Sequence, residues 1–447
     1  MNEEKILELI QEKKYKELKK ILSEMNEVDI AEILEDEALD LGTLLLIFRM
    51  LPKDLAVEVF AYFSKEKQRG IISSLTDSEV KHIVDELFFD DMIDMLEEMP
   101  ANIVKKILLN SSVEERKLIN QFLNYPEDSA GSIMTIEYVE FKRSMTVKEA
   151  LDRIRAIGLT KETIYTCYVT DRNRKLEGIV SLRTLVSSPD NSIIADLMDE
   201  DTIYAHTHDD QELVAEMFMK YDFIALPVVD MENRLTGIIT VDDIMDVMER
   251  EDTEDFQIMA AMSPSEDAYL DTKVLRLARQ RIVWLLILMI SATVSGAIIS
   301  SFDDLLSAVV ILTSFIPMLM DTGGNSGSQS STLIIRGLAI GEIELKDAPK
   351  VLWKEFRIAL MVGFSLAFIN LLRLIILERI DFGISLLVSV TLILTVIFAK
   401  VIGGILPIAA KKVKLDPALM AGPLITTIAD ALSLIVYFSI ASWMFRI

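Results

Sequence analysis

The sequence predicts a multidomain, mostly α protein: an N-terminal helical superhelix, a tandem α/β pair, a connecting helix and a five-helix transmembrane domain. Three observations predict this. A Leu/Met pair-step recurs every 24 residues near the N terminus, a strand–helix unit occurs twice at an offset of 59 residues, and long apolar runs crowd the C-terminal part. At 447 residues the chain is too long for one compact core.

Charge divides the same chain into two materials. Of 70 acids and 45 bases, 12 and 16 lie from Asp271 onward, which leaves 58 acids and 29 bases before it. An N-terminal part so acidic repels nucleic-acid phosphates and anionic lipid, and it concentrates cations. The single cysteine, Cys167, excludes a disulfide framework and falls in a β-like run, where a buried structural thiol is expected. Met1 to Lys20 is charged and helical without an apolar signal-peptide core, so the N-terminal half is expected to stay cytoplasmic.

In residues 1–130 apolar side chains recur at helical spacing from Ile6 onward. Leu51-Pro52, Leu75-Thr76 and Met99-Pro100 mark the 24-residue period, which suits stacked helical hairpins that bury their faces only against neighbours. Asp90 and Asp94 lie four apart on one helix face, either as solvated acids or as ligands for a cation held between domains.

Residues 131–250 hold the tandem repeat, with halves of about 131–190 and 191–250. Thr166 to Asp171 followed by Leu176 to Leu182 matches Ala225 to Asp230 followed by Leu235 to Val241, and a helix is expected after each. Each unit opens with a methionine, Met134 and Met198, and two such units should pair face to face. His206 and His208 have no cysteine nearby and read as surface histidines. Asp242 to Asp255 lacks the glycine and spacing of an EF-hand loop and gives an acidic helical stripe instead. A connecting helix over 251–279 should join this part to the membrane.

Residues 280–447 contain five stretches long enough to cross a bilayer: 280–300, 305–335, 353–377, 384–410 and 417–443. The second is overlong because Pro317, Asp321, Gly323, Gly324, Asn325 and Gln329 fall within it. Hydrocarbon gives unpaired backbone groups no partner, so such a polar segment must pack on protein or line a wet cavity. Arg276, Arg279 and Arg281 precede the first stretch, Lys346, Lys350, Lys354 and Arg357 separate the second from the third, and Lys411, Lys412 and Lys414 precede the fifth. Base-rich flanks mark the cytoplasmic side, which puts the N-terminal half inside and the C terminus outside. Asp430 is the acid well within the fifth stretch; a carboxylate there costs about 2.5–3.5 kcal/mol on insertion scales and reads as a cation site, unless protonated or paired with a base such as Lys400. Thr426 and Thr427 stand one turn away, and the glycines of the second stretch are expected to let a hydrated cation approach backbone carbonyls. Asp321-Thr322-Gly323 also matches the aspartic-protease triplet, but no second copy supplies the partner that chemistry needs.

These motifs resemble two families. The tandem repeat resembles a CBS-domain pair, which implies adenine-nucleotide or ion sensing, and Gly237, Thr240 and Asp243 fit that family's ribose-contacting pattern; in the first unit Thr184 replaces the final acid. Tyr125 to Thr135, Pro317 to Ala339 and Asp416 to Asp430 resemble the MgtE family of magnesium channels and transporters over essentially the whole chain. That resemblance implies a homodimer with a pore on its two-fold axis, Mg2+ held at Asp430, and no enzymatic activity. It further implies Mg2+ between cytosolic domains, held by Glu58, Asp90 and Asp94 with Glu212, Asp222, Asp243, Asp246, Glu251, Glu254 and Asp255. Pore-lining positions would be Pro317, Gly323, Gly324, Asn325, Gln329, Thr426 and Thr427; ATP is a further expected ligand of the pair. Gly422 stands where relatives often carry a polar side chain. The rival readings are a carrier for cobalt, manganese or calcium, since oxygen ligands favour hard cations without choosing among them, and a membrane-anchored nucleotide sensor.

Overall fold

The computed structural model describes residues 3–35, 39–265, 269–270 and 272–446. The chain forms two compact units, residues 1–247 and 248–447.

The first unit begins with ten short helices. They are α1 (Glu3–Gln11), α2 (Tyr15–Leu22), α3 (Glu27–Leu34), α4 (Leu41–Phe48), α5 (Lys53–Ala61), α6 (Lys65–Ser74), α7 (Asp77–Glu86), α8 (Phe89–Glu98), α9 (Ala101–Asn110) and α10 (Val113–Phe122). The 24-residue period is one helix pair: α5, α7 and α9 begin at 53, 77 and 101, and α6, α8 and α10 at 65, 89 and 113. The recurring Pro52, Thr76 and Pro100 are the residues just before helix starts. Thr76 accepts from the Glu79 N–H while Glu79 reaches back to the Thr76 N–H, a reciprocal cap that satisfies two otherwise orphaned donors.

The tandem repeat follows as β1 (Glu140–Phe141), α11 (Val147–Ile157), β2 (Thr166–Thr170), β3 (Leu176–Ser181) and α12 (Leu182–Ser187). It then repeats as β4 (Ala205–His206), α13 (Gln211–Tyr221), β5 (Ala225–Val229), β6 (Leu235–Thr240) and α14 (Val241–Met259). Each sheet has the same order, a short parallel strand beside an antiparallel hairpin. The halves interlock through backbone: Leu176 N–H donates to Asn233 O and Leu235 N–H to Arg174 O. Each opening methionine covers a strand glycine. A Cβ on Gly237 would lie 2.8 Å from Met134 Sδ and one on Gly178 3.3 Å from Met198 Sδ, so these glycines serve close packing. Cys167 is buried and free, and burial pushes its thiol up to about 12, as an inert structural cysteine requires.

The second unit contains the end of α14, then α15 (Val274–Ser301), α16 (Asp303–Ala308), α17 (Ile316–Ala339), α18 (Ala348–Leu372), α19 (Phe382–Lys412) and α20 (Gly422–Phe445). Helices over Val274–Ser301, Leu345–Leu377, Phe382–Lys412 and Pro417–Phe445 are long and apolar enough to cross a membrane. The second expected stretch, 305–335, differs from its prediction. It divides into α16, a tight turn over Val310–Phe315, and α17, which runs without a break through the polar segment. The connecting helix also differs: α14 ends at Met259, and a separate helix beginning at Val274 continues directly into the first span. Ala261, with φ of +53°, turns the chain between them.

Candidate ion path and acidic cytosolic site

α17 presents two faces. One is sealed in the bundle: Gly323, Gly324, Ser326, Gly327, Ser330 and Ser331 are buried. The other carries Asp321, Asn325, Gln329, Thr332 and Arg336, all exposed and spaced by three or four. In lipid such a polar stripe has no solvent, so it must face water or another polypeptide. The expectation that Gly323 and Gly324 line a path is corrected. A Cβ on Gly323 would meet Ser433 Oγ at 2.7 Å and one on Gly324 would meet Thr426 Cγ2 at 3.0 Å, so both admit α20 instead of an ion. Pro317, by contrast, is exposed at the start of α17.

Asp430 sits half-buried on α20 beside this seam, and Asp321 lies within its electrostatic reach. Lys400 does not pair with it; its ammonium is turned to Ser326 and Ser330. No ion-pair partner for Asp430 exists among the described residues. Thr426 and Thr427 are half-buried, and both hydroxyls donate to Pro423 O at 2.9 Å. Their oxygens keep lone pairs free, but their protons are committed.

The N-terminal end of α20 meets the end of α14. Gly422 has φ of +21°, and a Cβ there would lie 3.0 Å from Met259 O. The missing side chain is thus explained: backbone from the end of α14 occupies its place. Asp255, one turn before, is pushed up to about 6 by burial first and then by Asp416, Glu251, Asp252 and Glu254. Like charges collect at this joint, and their mutual repulsion adds to the effect of burial on Asp255.

A second concentration of acids forms in the first unit, between the helical array and the tandem pair. Asp90 on α8, Glu137 ahead of β1 and Glu162 ahead of β2 each offer a carboxylate oxygen, all within 4.8 Å of one another. Glu137 accepts from Phe89 N–H at 3.1 Å and from the Thr135 hydroxyl at 3.2 Å, which fixes it under the start of α8. Asp90 Oδ1 and Glu162 Oε2 are shielded from solvent and lack a hydrogen-bond partner among the described residues. Burial, then Asp243 and Asp91, hold the Asp90 carboxyl well above the usual range. Burial, then Asp242 and Asp243, push Glu162 up to about 8, and burial pushes Asp243 up to about 7 and Asp91 to about 6. Oxygens on opposite sides of an octahedral magnesium ion are about 4.2 Å apart at bonds of about 2.1 Å. At up to 4.8 Å apart the three oxygens stand near that spacing, so a hard cation would draw them slightly together, and an all-oxygen set suits no soft metal.

Of the cytosolic residues expected from sequence, the structure brings Asp90 and Asp243 to this cluster, with Asp94 exposed nearby and acting on Asp91. Glu251, Glu254 and Asp255 gather instead with Asp416. Glu58, Glu212, Asp222 and Asp246 are exposed and are not among the carboxylates of the cluster.

Residues 25–128 match the MgtE intracellular N domain, 130–190 and 194–250 the CBS domain, and 316–440 the MgtE divalent cation transporter domain. A magnesium transporter MgtE of Thermus thermophilus is 36% identical over 442 residues, covering 97% of this chain and 96% of the relative. The chain belongs to the MgtE family. A Bacillus subtilis magnesium transporter MgtE is 33% identical over 438 residues, covering 98% and 96%. Among solved structures, the soluble part of a magnesium transporter is 30% identical, with a TM-score of 0.51 over 56% of this chain and 97% of that one. The cytosolic domain of the Mg2+ channel MgtE in complex with ATP is 34% identical, with a TM-score of 0.52 over 55% of this chain and 100% of that one.

Within this MgtE chain, Glu137 and Glu162 are the functional candidates that sequence reasoning missed. They lie 47 and 72 positions beyond Asp90, so no helical or loop spacing relates them. Glu162 could be suspected only as an acid four residues ahead of an apolar strand. The nucleotide pattern is also re-read: Thr240 Oγ1 donates to Asp243 Oδ2 at 2.6 Å, and Gly237 is filled by Met134 and Thr135. Asp243 thus belongs to the acidic site as much as to a ribose contact.

Proposed function

We propose that this chain conducts magnesium ions across the cell membrane through a path walled by the polar stripe of α17 and by Asp430, built from two copies of the chain. The observation that carries the reading is that stripe: five polar side chains exposed along one line of a helix embedded among membrane spans, beside an intramembrane carboxylate with no ionic partner among the described residues. Two copies facing each other would cover both stripes and place two Asp430 carboxylates about one aqueous lumen. Hydrated magnesium suits such a site because it dehydrates reluctantly and is held through its waters by one or two carboxylates.

The cytosolic half closes the path when cytosolic magnesium is high. Acids at the Asp90–Glu137–Glu162 site and at the Asp255–Asp416 joint repel when bare and are bridged when a divalent cation is bound, so the ion favours one of two arrangements. Contact of the α14 end with Gly422 gives that arrangement a route to the Asp430 helix. The distribution of bases supports an N-terminal half in the cytoplasm and a C terminus outside. ATP binding at the tandem pair, around Thr240 and Asp243, is supported by the ATP complex of the related cytosolic domain.

Magnesium uptake in a transport-deficient cell tests the reading. Asp430→Ala should abolish uptake, and undiminished flux would remove Asp430 from the mechanism. Single-channel recording with manganese, cobalt and calcium in place of magnesium then decides which hard cation is the cargo.

A further inference from the structure

Behind the exposed stripe of α17, on the side turned to α18 and α19, three polar side chains meet inside the bundle. Ser330 is 1%, Lys400 4% and Glu355 6% exposed. Ser330 Oγ donates to Glu355 Oε2 at 2.6 Å. Lys400 Nζ donates to Ser330 Oγ at 3.4 Å and to the Ser326 carbonyl oxygen at 3.5 Å. The packing is built around them: a Cβ on Gly404 would lie 3.2 Å from Glu355 Cγ, and one on Gly403 would run into the Gly327 carbonyl.

Lys400 lies twelve residues before Lys412 at the end of α19, about 18 Å along the helix. That is farther than a lysine side chain reaches, so it cannot snorkel its charge to the interface. Neither Lys400 nor Glu355 has another ionic partner among the described residues. Each is the other's counter-charge, joined through one hydroxyl of α17. A buried charge whose partner is removed is left uncompensated, and here it would stand directly behind Asn325 and Gln329.

We propose that Glu355 and Lys400 are positioning residues for ion permeation: bridged by Ser330, they keep the back of the α17 wall electrically neutral and fix its register on α18 and α19. Loss of Glu355 leaves the positive charge of Lys400 beside the path. The resulting repulsion doubles for a divalent ion relative to a monovalent one. The inference rests on α17 being the wall of the path.

The test is flux of Mg2+ and of K+ through the full-length protein reconstituted in liposomes, for Glu355→Gln, Lys400→Met and the double variant. Glu355→Gln should cut Mg2+ flux by about tenfold and lower the Mg2+-to-K+ ratio. Lys400→Met should not lower that ratio, and Lys400→Met added to Glu355→Gln should restore it. Equal losses of both ions, or a double variant no better than Glu355→Gln, would overturn the proposal and leave a packing role only. If Glu355→Gln does not assemble, the double variant still decides: neutral at both sites, it should assemble and discriminate like the parent, and failure to do either overturns the proposal. Asp430→Ala in parallel separates the two readings, since retained flux there sinks the path itself and not the charge balance behind it.

Discussion

Glu162→Gln isolates the energetics of the acidic cytosolic site. In an unfolded chain this carboxyl ionises near 4.5, whereas burial and then Asp242 and Asp243 push it up to about 8 in the folded protein. Folding therefore retains a proton that the unfolded chain releases. The metal-free cytosolic half is most stable below about pH 4.5 on this account and loses stability as pH climbs toward 8. The interval corresponds to about 5 kcal/mol at 1.36 kcal/mol per decade. Glu162 is only half-buried, and solvent screening reduces this to about 2 kcal/mol. Glutamine removes the charge and keeps the shape, so at pH 8 without metal it should slow local opening by about 30-fold, 1.4 kcal/mol being a factor of ten. The assay is amide hydrogen exchange in the full chain, read on peptides spanning 85–95 and 135–165 and compared at equal pH. Phe89, whose N–H is bonded to Glu137, is the amide to watch. Magnesium should slow exchange strongly in the parent at pH 8, weakly at pH 5.5, and weakly in the variant at either pH. Equal protection by magnesium in parent and variant would refute the cluster as a cation site.

Other perturbations follow from the same geometry. Neutralising Asp243, Asp246 and Glu251 together should leave the channel open at high cytosolic magnesium, read as patch current against magnesium titration; a normal closing response would argue against acid bridging. Gly422→Leu would drive a side chain toward Met259 O at a position with φ of +21°, so it should displace the end of α14 and raise leak at high magnesium while Asp430 still conducts. Gly403→Ala would run into the Gly327 carbonyl; it should cost about 1–3 kcal/mol as overpacking, seen as a lower melting temperature of the detergent-solubilised protein.

Much of the fold was legible because periodicity records what a chain must bury. The 24-residue step exposed the helix pairs, the 59-residue offset exposed the twin sheets, and apolar runs exposed the spans. Failures occurred where local composition and tertiary packing disagree. Glycines 323, 324 and 327 read as backbone opened to an ion, yet they are the clearance that lets α19 and α20 pack against an unbroken α17. The connecting helix ends at Met259 instead of continuing to 279: the chain turns at Ala261, and Ser263-Pro264-Ser265 directly after it is the stop signal that the surrounding acidic stripe obscures. Asp90 could be named from the family pattern, but Glu137 and Glu162 are brought to it by the docking of α8 on the loops before β1 and β2. That proximity has no spacing to betray it.

Two carboxylates in the second unit show how a polar group is sorted between structure and function. Glu355 and Asp430 both lie on helices long and apolar enough to span a bilayer. Glu355 is met by the Ser330 hydroxyl at 2.6 Å and by the charge of Lys400 beyond it, so its cost of desolvation is offset from within the protein. Asp430 has Asp321 for a neighbour and no base among the described residues, so its compensation must come from outside the chain. On the proposed function a cation with its waters supplies it, and the same reasoning applies to Asp90, Glu137 and Glu162 in the first unit. Supplying an internal base should therefore silence a site: Asp321→Lys, placed to pair with Asp430, should abolish magnesium flux although Asp430 is untouched. Expression, assembly and melting temperature should match the parent, because a buried charge has gained a partner. Persistence of flux in that variant would mean the ion never depended on Asp430 lacking one.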